Sequence, residues 1–294
     1  MTRFSGYLAL LCSALLFGTA TIIIKFTYQS GLTPEVVLVT QIGFAVLISW
    51  TVIALRNKRT VIPPRSLWGA MVLQGAIAGC LTSALFFQAL DLLGASLATL
   101  LLFTFPAFVA LYHGLWCKQP IRRFQQVALL LAFVGLLFAV DVFHSPITGF
   151  SGQSILIGLG AAVTNAFGSI NGEKLLNKVD TFVVTAWSYT FSFLTLLCLY
   201  RPAWLLQTNF SFEQSILLIS GAVLNFAPLA CYFFAITRVG AGIASIVSTL
   251  EIPIALLLAY AFLGEAMSEL QTVGGSLITL SVFLLYYGSW KSTE

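Results

Sequence analysis

Glu251 lies near the middle of an apolar stretch, 241–263, two residues before Pro253. A carboxylate at the centre of a membrane helix costs about 2.5–3.5 kcal/mol on insertion scales. Two functions fit that cost: contact with a substrate amine, or binding of a proton. The alternative is a structural carboxyl hydrogen-bonded to a neighbouring helix. Lys25 belongs to a stripe of Ala14, Gly18, Thr21, Lys25 and Tyr28. A second stripe holds Ala161, Thr164 or Asn165, Gly168 and Asn171. Spacings of three and four put each set on one helix face. A polar face shared by two helices suits a lumen. Lys25 equally suits a side chain snorkelling to the headgroups, and Asn171 a hydrated helix end. Gln74, Gln88, Asn225 and Tyr232 interrupt other apolar runs. Each is either a substrate contact or a hydrogen bond between helices worth about 0.6 kcal/mol. His113 has relay chemistry, but its place near a helix end favours hydration.

Other residues set geometry rather than chemistry. Pro106 and Pro253 each remove a bond from a helical ladder, which provides either cavity-lining carbonyls and bending points or a plain kink. Pro228 has no such counterpart, because Leu81 or Thr82 stands at the equivalent place. Gly75-x-x-x-Gly79 reads as a close helix crossing. Phe86, Phe87, Phe233 and Phe234 are candidate cavity walls.

The elements that position these residues follow from composition. The chain has 294 residues, 59% hydrophobic and 8% charged. Soluble domains carry roughly 25% charged residues, and the mean hydropathy of +0.98 makes lipid the solvent. Apolar runs of about 20 residues are then helices. Ten are expected, at 5–28, 35–55, 67–90, 95–116, 124–141, 153–173, 181–200, 214–236, 241–263 and 270–289. The first is too long for a signal-peptide core of roughly 7–15 residues. With the N-terminus in the cytoplasm, the inside loops hold 12 of the 14 lysines and arginines, Lys58 and Arg59 among them. That bias sets a topology with both termini cytoplasmic. Trp50, Trp68, Trp116 and Trp290 near inner helix ends, and Trp204 near an outer one, read as interfacial anchors.

Several chemistries are excluded. The net charge of +4 is scattered through short loops, so no nucleic-acid partner is expected. The five cysteines are single and lie in apolar runs, with no metal spacing and no implied disulfide. Gly240-x-Gly242-x-x-Ser245 opens a membrane helix without a preceding strand, so it is not a dinucleotide site. No HExxH or Walker sequence occurs. No catalytic residue, metal or cofactor is assigned.

The chain also repeats itself. Residues 85–98 match 231–244 without a gap, and Pro106 matches Pro253 one insertion later. Leu16 to Thr19 match Ala166 to Ser169. Residues 1–145 and 146–294 therefore read as two copies of a five-helix unit. An odd helix number forces the second copy to insert inverted. Matching loops then need opposite charge character: Lys118, Arg122 and Arg123 follow Pro106, whereas Glu265 and Glu269 follow Pro253. Inverted repeats of this kind build secondary transporters, with the substrate near the midplane between the repeats. The fold class expected is all-α integral membrane.

Further motifs are Phe17-Gly18 with Lys25 seven residues on, Ala241 to Ala244, Pro253, and Gly264-Glu265. In these the chain resembles the drug/metabolite transporter superfamily, EamA type. The first repeat departs from the pattern, with Cys117-Lys118 in place of Gly-Glu, and Gln41 stands where the family often has Arg. The resemblance implies a central cavity with substrate or proton contacts at Glu251, Lys25, Thr21, Asn165, Asn171, Asn225, Tyr232 and Gln88. Gly18, Pro106, Gly168, Pro228 and Pro253 would serve packing or hinging. It also implies a small-molecule cargo such as an amino acid or related metabolite, exported across a bacterial inner membrane. The competing readings are a receptor or assembly protein without transport, and a lipid-modifying membrane enzyme.

Overall fold

A computed structural model describes residues 2–56, 61–118, 121–141, 151–202 and 209–291. Lys58, Arg59, Trp204 and the 145/146 boundary between halves lie outside them. Among the described residues there are helices and no strand. Lipid offers no water to backbone groups, so each segment satisfies its own.

The helices are α1 (Thr2–Gln29), α2 (Pro34–Leu55), α3 (Trp68–Leu73), α4 (Thr82–Leu102), α5 (Phe105–Leu115) and α6 (Arg123–Ala139), followed by α7 (Gly152–Leu176), α8 (Thr181–Tyr200), α9 (Phe212–Val239), α10 (Ala241–Val247), α11 (Glu251–Leu263) and α12 (Glu269–Lys291). A π-helical stretch, Gln74–Leu81, joins α3 to α4, and a 3-10 turn, Ser248–Leu250, joins α10 to α11. Eight helical stretches among the described residues are long and apolar enough to cross a membrane. α6, with 17 residues, is shorter; it rises about 26 Å.

One of the eight, Arg65–Leu115, runs for 51 residues. The count of ten divides it in two, and Gly94 marks the division with φ 77° and ψ 167°. Gly240 separates α9 from α10 with φ 81° and ψ 160°. These are equivalent positions of the gapless match. A positive φ with extended ψ is open to glycine almost alone, so the same residue makes the same turn in both halves.

Packing repeats as well. α1 lies against α9 and α11, while α7 lies against α4 and α5. α8 crosses the π-helical stretch, while α2 crosses α9. α2 pairs with α8, and α6 with α12. Exchanging the first half for the second returns the same set of pairs, as a two-repeat architecture requires.

Close crossings fall where side chains are small. A Cβ on Gly75 would sit 2.6 Å from the Ser188 carbonyl, and one on Gly79 2.6 Å from Ser192 Oγ, so α8 approaches the π-helical stretch backbone to backbone. A Cβ on Gly135 of α6 would sit 2.8 Å from the Gly274 carbonyl of α12.

Pro106 and Pro253 each stand just past an interruption of the α-helical ladder. Pro106 is the second residue of α5 and Pro253 the third of α11. Both therefore follow a break and begin a new helix, where the missing N–H costs nothing. Pro228 lies inside an unbroken α9, and its carbonyl accepts a 2.8 Å bond from Ser13 Oγ on α1. Two of the tryptophans are not free anchors: Trp50 and Trp68 pack edge-on against Trp187 of α8 at 5.3 and 4.8 Å. Trp116 and Trp290 are exposed.

Candidate functional site

A cavity of about 670 Å³ opens between the two halves, within the 300–1,000 Å³ typical of small-molecule sites. Residues from α1, α4, α7, α9, α11 and the break before α11 line it. Its walls are mixed. Phe17, Phe86, Phe103 and Phe105 supply rings, and Thr21, Ser83, Thr99, Asn165 and Ser248 supply small polar groups.

Glu251 faces this space as the first residue of α11. The 3-10 turn before it lies within one continuous helical stretch, Ala241–Leu263, so the carboxylate stands inside a membrane-crossing segment. It forms no hydrogen bond or ion pair among the described residues. Its neighbours are engaged. Tyr232 Oη and Ser169 Oγ lie 2.9 Å apart, and Thr82 donates to Thr164 Oγ1 at 2.8 Å. Glu251 is thus a carboxyl group without a partner among the described residues, in a chamber where Tyr232 and Thr82 are paired.

Lys25 also lines the cavity, at one end, where it forms an ion pair with Glu265 beyond the end of α11. Both side chains are about half exposed. The lysine therefore neither faces Glu251 unpaired nor extends alone to the headgroups.

Five of the predicted site residues thus converge: Thr21, Lys25, Asn165, Tyr232 and Glu251. Three do not. Asn171 Nδ2 donates to the Ala70 carbonyl at 2.9 Å and to Gln74 Oε1 at 2.8 Å, while Gln74 Nε2 donates to the Gly168 carbonyl at 3.1 Å. That chain pins α7 to the π-helical stretch. Asn225 Nδ2 donates to Gln41 Oε1 at 3.0 Å and lines a separate cavity of about 150 Å³. Gln88 is exposed and outside the cavity wall. Gly18 and Gly168 act by closeness: a Cβ would meet Ile254 at 2.7 Å in the first case and Ala78 at 2.6 Å in the second.

The sequence reading missed Glu173. Its Oε2 lies 3.2 Å from His113 Nε2, and its Oε1 accepts the Ala241 N–H at 3.0 Å. Lys174 beside it stands 4.9 Å over the Tyr112 ring. The signal available was a carboxylate two to three residues inside the end of an apolar helix, with a histidine elsewhere to match it. A further cavity, about 380 Å³ between α5 and α6, has no charged group among its described lining residues.

No curated protein matches the chain. A solved structure titled only as the crystal structure of a protein is similar over 99% of this chain and 100% of its own, with a TM-score of 0.82 and 15% identity. That likeness concerns the fold. The sequence pattern of the EamA-like transporter family matches residues 4–140 and again residues 152–287. Almost the whole chain is covered, once per half, by that pattern, and the chain is a member of the EamA-like transporter family.

Proposed function

We propose that this membrane transporter is a secondary active one, moving a small metabolite through the cavity by alternating access. Glu251 is its substrate or proton contact. The observation that carries this reading is a carboxylate without a partner among the described residues, facing a chamber walled by both halves. Lys25 and Glu265 close the charge balance at one end, which leaves Glu251 as the group with charge to offer. Thr21, Asn165 and Tyr232 complete the polar wall.

The rest of the reading rests on sequence. Residues 1–145 and 146–294 form five-helix repeats inserted in opposite senses, in a bacterial inner membrane with both termini cytoplasmic. The cargo class, amino acids or related compounds moved outward, follows the family resemblance. The chain acts as a transporter without enzymatic chemistry.

The test uses purified protein in proteoliposomes loaded with radiolabelled amino acids and with extracts of cellular metabolites. Glu251→Gln is expected to lower flux of the transported compound at least tenfold at unchanged folded yield. Flux of every tested compound surviving both Glu251→Gln and Glu251→Ala would falsify the central-site assignment.

A further inference from the structure

The cavity of about 150 Å³ that Asn225 lines is bounded by α1, α2, α4 and α9. Ser83 and Phe86 of α4 line both this space and the central one, so the two meet at α4. The polar stripe of α1 divides between them. Thr21 and Lys25 line the large cavity, and Tyr28 lines the small one. The polar residues of the small cavity are Tyr28, Gln41, Ser83 and Asn225, and none of its described lining residues is charged.

Asn225 fixes the arrangement. Its Nδ2 donates to the Gly221 carbonyl at 2.9 Å, one turn back in α9, and to Gln41 Oε1 at 3.0 Å. A backbone carbonyl only accepts, so Asn225 must turn its nitrogen to Gly221. Gln41 must then offer its oxygen to Asn225, and Gln41 Nε2 faces elsewhere. That nitrogen is buried and donates to nothing among the described residues; the whole residue is 3% exposed. The surroundings leave room for this amide and hold its partner. A Cβ on Gly221 would collide with the Gln41 side chain, and Tyr189 Oη of α8 donates to the Asn225 backbone carbonyl at 2.7 Å. Asn225 Oδ1 and Tyr28 Oη form no hydrogen bond among the described residues. Ser83 Oγ donates to the Gly79 carbonyl at 2.8 Å, which leaves its lone pairs free.

A buried donor without an acceptor costs about 1–3 kcal/mol, and a ligand oxygen would remove that cost at Gln41. Two donors, Gln41 Nε2 and Tyr28 Oη, and two acceptors, Asn225 Oδ1 and Ser83 Oγ, therefore stand uncommitted around one space. A charged group would find no opposite charge there, and burying it unpaired is costlier than burying a neutral one. A neutral group that both donates and accepts finds its complement. We propose that this cavity is the specificity subsite of the transporter, taking an uncharged amide, urea or hydroxyl group at one end of the cargo while Glu251 takes the other. The inference deepens the transport reading of the central cavity and rests on it. Glu251 recognises charge, whereas Gln41 and Tyr28 select the far end, because a site built to hydrogen-bond a group rejects the analogue that lacks it.

Full-length protein in proteoliposomes is supplied with an extract of cellular metabolites, and the compounds that cross are identified by mass spectrometry. Each is expected to carry an uncharged amide, urea or hydroxyl group. Three competitors share an amine and differ at the far end: β-alaninamide, β-alanine and butylamine. The amide should inhibit flux about tenfold better than the other two, the scale of one hydrogen bond whose loss strands a buried partner. Gln41→Leu should raise the KM of the transported compound about tenfold by the same reasoning, with the maximal rate and folded yield little changed. Tyr28→Phe, a milder change at the same cavity, should raise the KM several-fold. A Gln41 effect on KM in flux that survives Glu251→Gln would end the central-site assignment and leave this subsite standing. Transported compounds without such a group, equal inhibition by the three competitors, or an unchanged KM in both Gln41→Leu and Tyr28→Phe would overturn the subsite and leave the cavity to water. No flux of any compound in wild type would overturn both readings.

Discussion

Asn171 and Glu251 are both polar groups set in apolar helices, and their surroundings separate them. Asn171 meets two acceptors, the Ala70 carbonyl and Gln74 Oε1, so its amide is consumed within the wall. Asn171→Ala leaves those acceptors buried and unpaired, a loss of about 1–3 kcal/mol. A lower unfolding midpoint in detergent is expected, with flux per folded molecule unchanged; a drop in flux at full stability would instead return Asn171 to the site. The Lys25–Glu265 pair invites a different test. Its partners are half exposed, and such pairs contribute at most about 1 kcal/mol. Stability therefore hardly responds to Lys25→Glu, but the reversal sets two like charges at the cavity end. Flux should fall several-fold in Lys25→Glu and recover in the double reversal Lys25→Glu with Glu265→Lys. A double variant no better than the single would show that the two side chains do not act as a pair.

Among the helices, the glycine turns carry the most testable consequence. Gly94 and Gly240 hold nearly the same dihedrals at matching points of the two halves. Alanine at either must adopt a conformation that side chains rarely take, costing about 1–3 kcal/mol. No atom lies within 4 Å of a Cβ built on Gly94, so strain rather than collision is the cause there. Gly94→Ala and Gly240→Ala should lower the unfolding midpoint by similar amounts, and an unaffected Gly94→Ala would deny that the turn is needed. The self-match of 85–98 with 231–244 made this equivalence legible, because a glycine recurring in register carries a backbone requirement. Hydropathy placed the apolar segments for the same reason: lipid penalises every misplaced charge. The π-helical stretch at Gln74–Leu81 was not legible, since one extra residue in a helical turn leaves no side-chain signature. Nor were the partners of Asn171 and Asn225. A polar residue on a helix face has the same spacing whether it meets a cavity or another amide, and only the docking of Gln74 and Gln41 decides between them.

Seen across the full bundle, two carboxylate contacts hold corresponding places. Lys25 on α1 meets Glu265 past the end of α11. Glu173 on α7 meets His113 on α5. Exchanging the halves turns α1 into α7 and α11 into α5, so each contact joins equivalent elements, with the carboxylate on the opposite partner. The cavity extends to the Lys25–Glu265 end. Around Glu173 the chain is packed instead: Val109, Leu175, Phe233, Ile236 and Ala241 are all buried in the main apolar cluster, and the Ala241 N–H closes onto the Glu173 carboxylate. In the alternating-access reading proposed above, the Glu173 contacts separate while the Lys25 end closes. Because such a shift needs only a few kcal/mol of differential stability between states, removing both members of this partly buried contact should change the populations measurably. Thr99→Cys, in the cavity wall and in a chain whose five cysteines are replaced, should react with a membrane-impermeant thiol reagent added at the Lys25 side. Adding His113→Ala with Glu173→Gln should speed its reaction from the opposite side several-fold and slow it from the first. If the double variant left both rates as they were, the Glu173 contact would be a packing feature, and the hold on the closed end would reside in the apolar cluster alone.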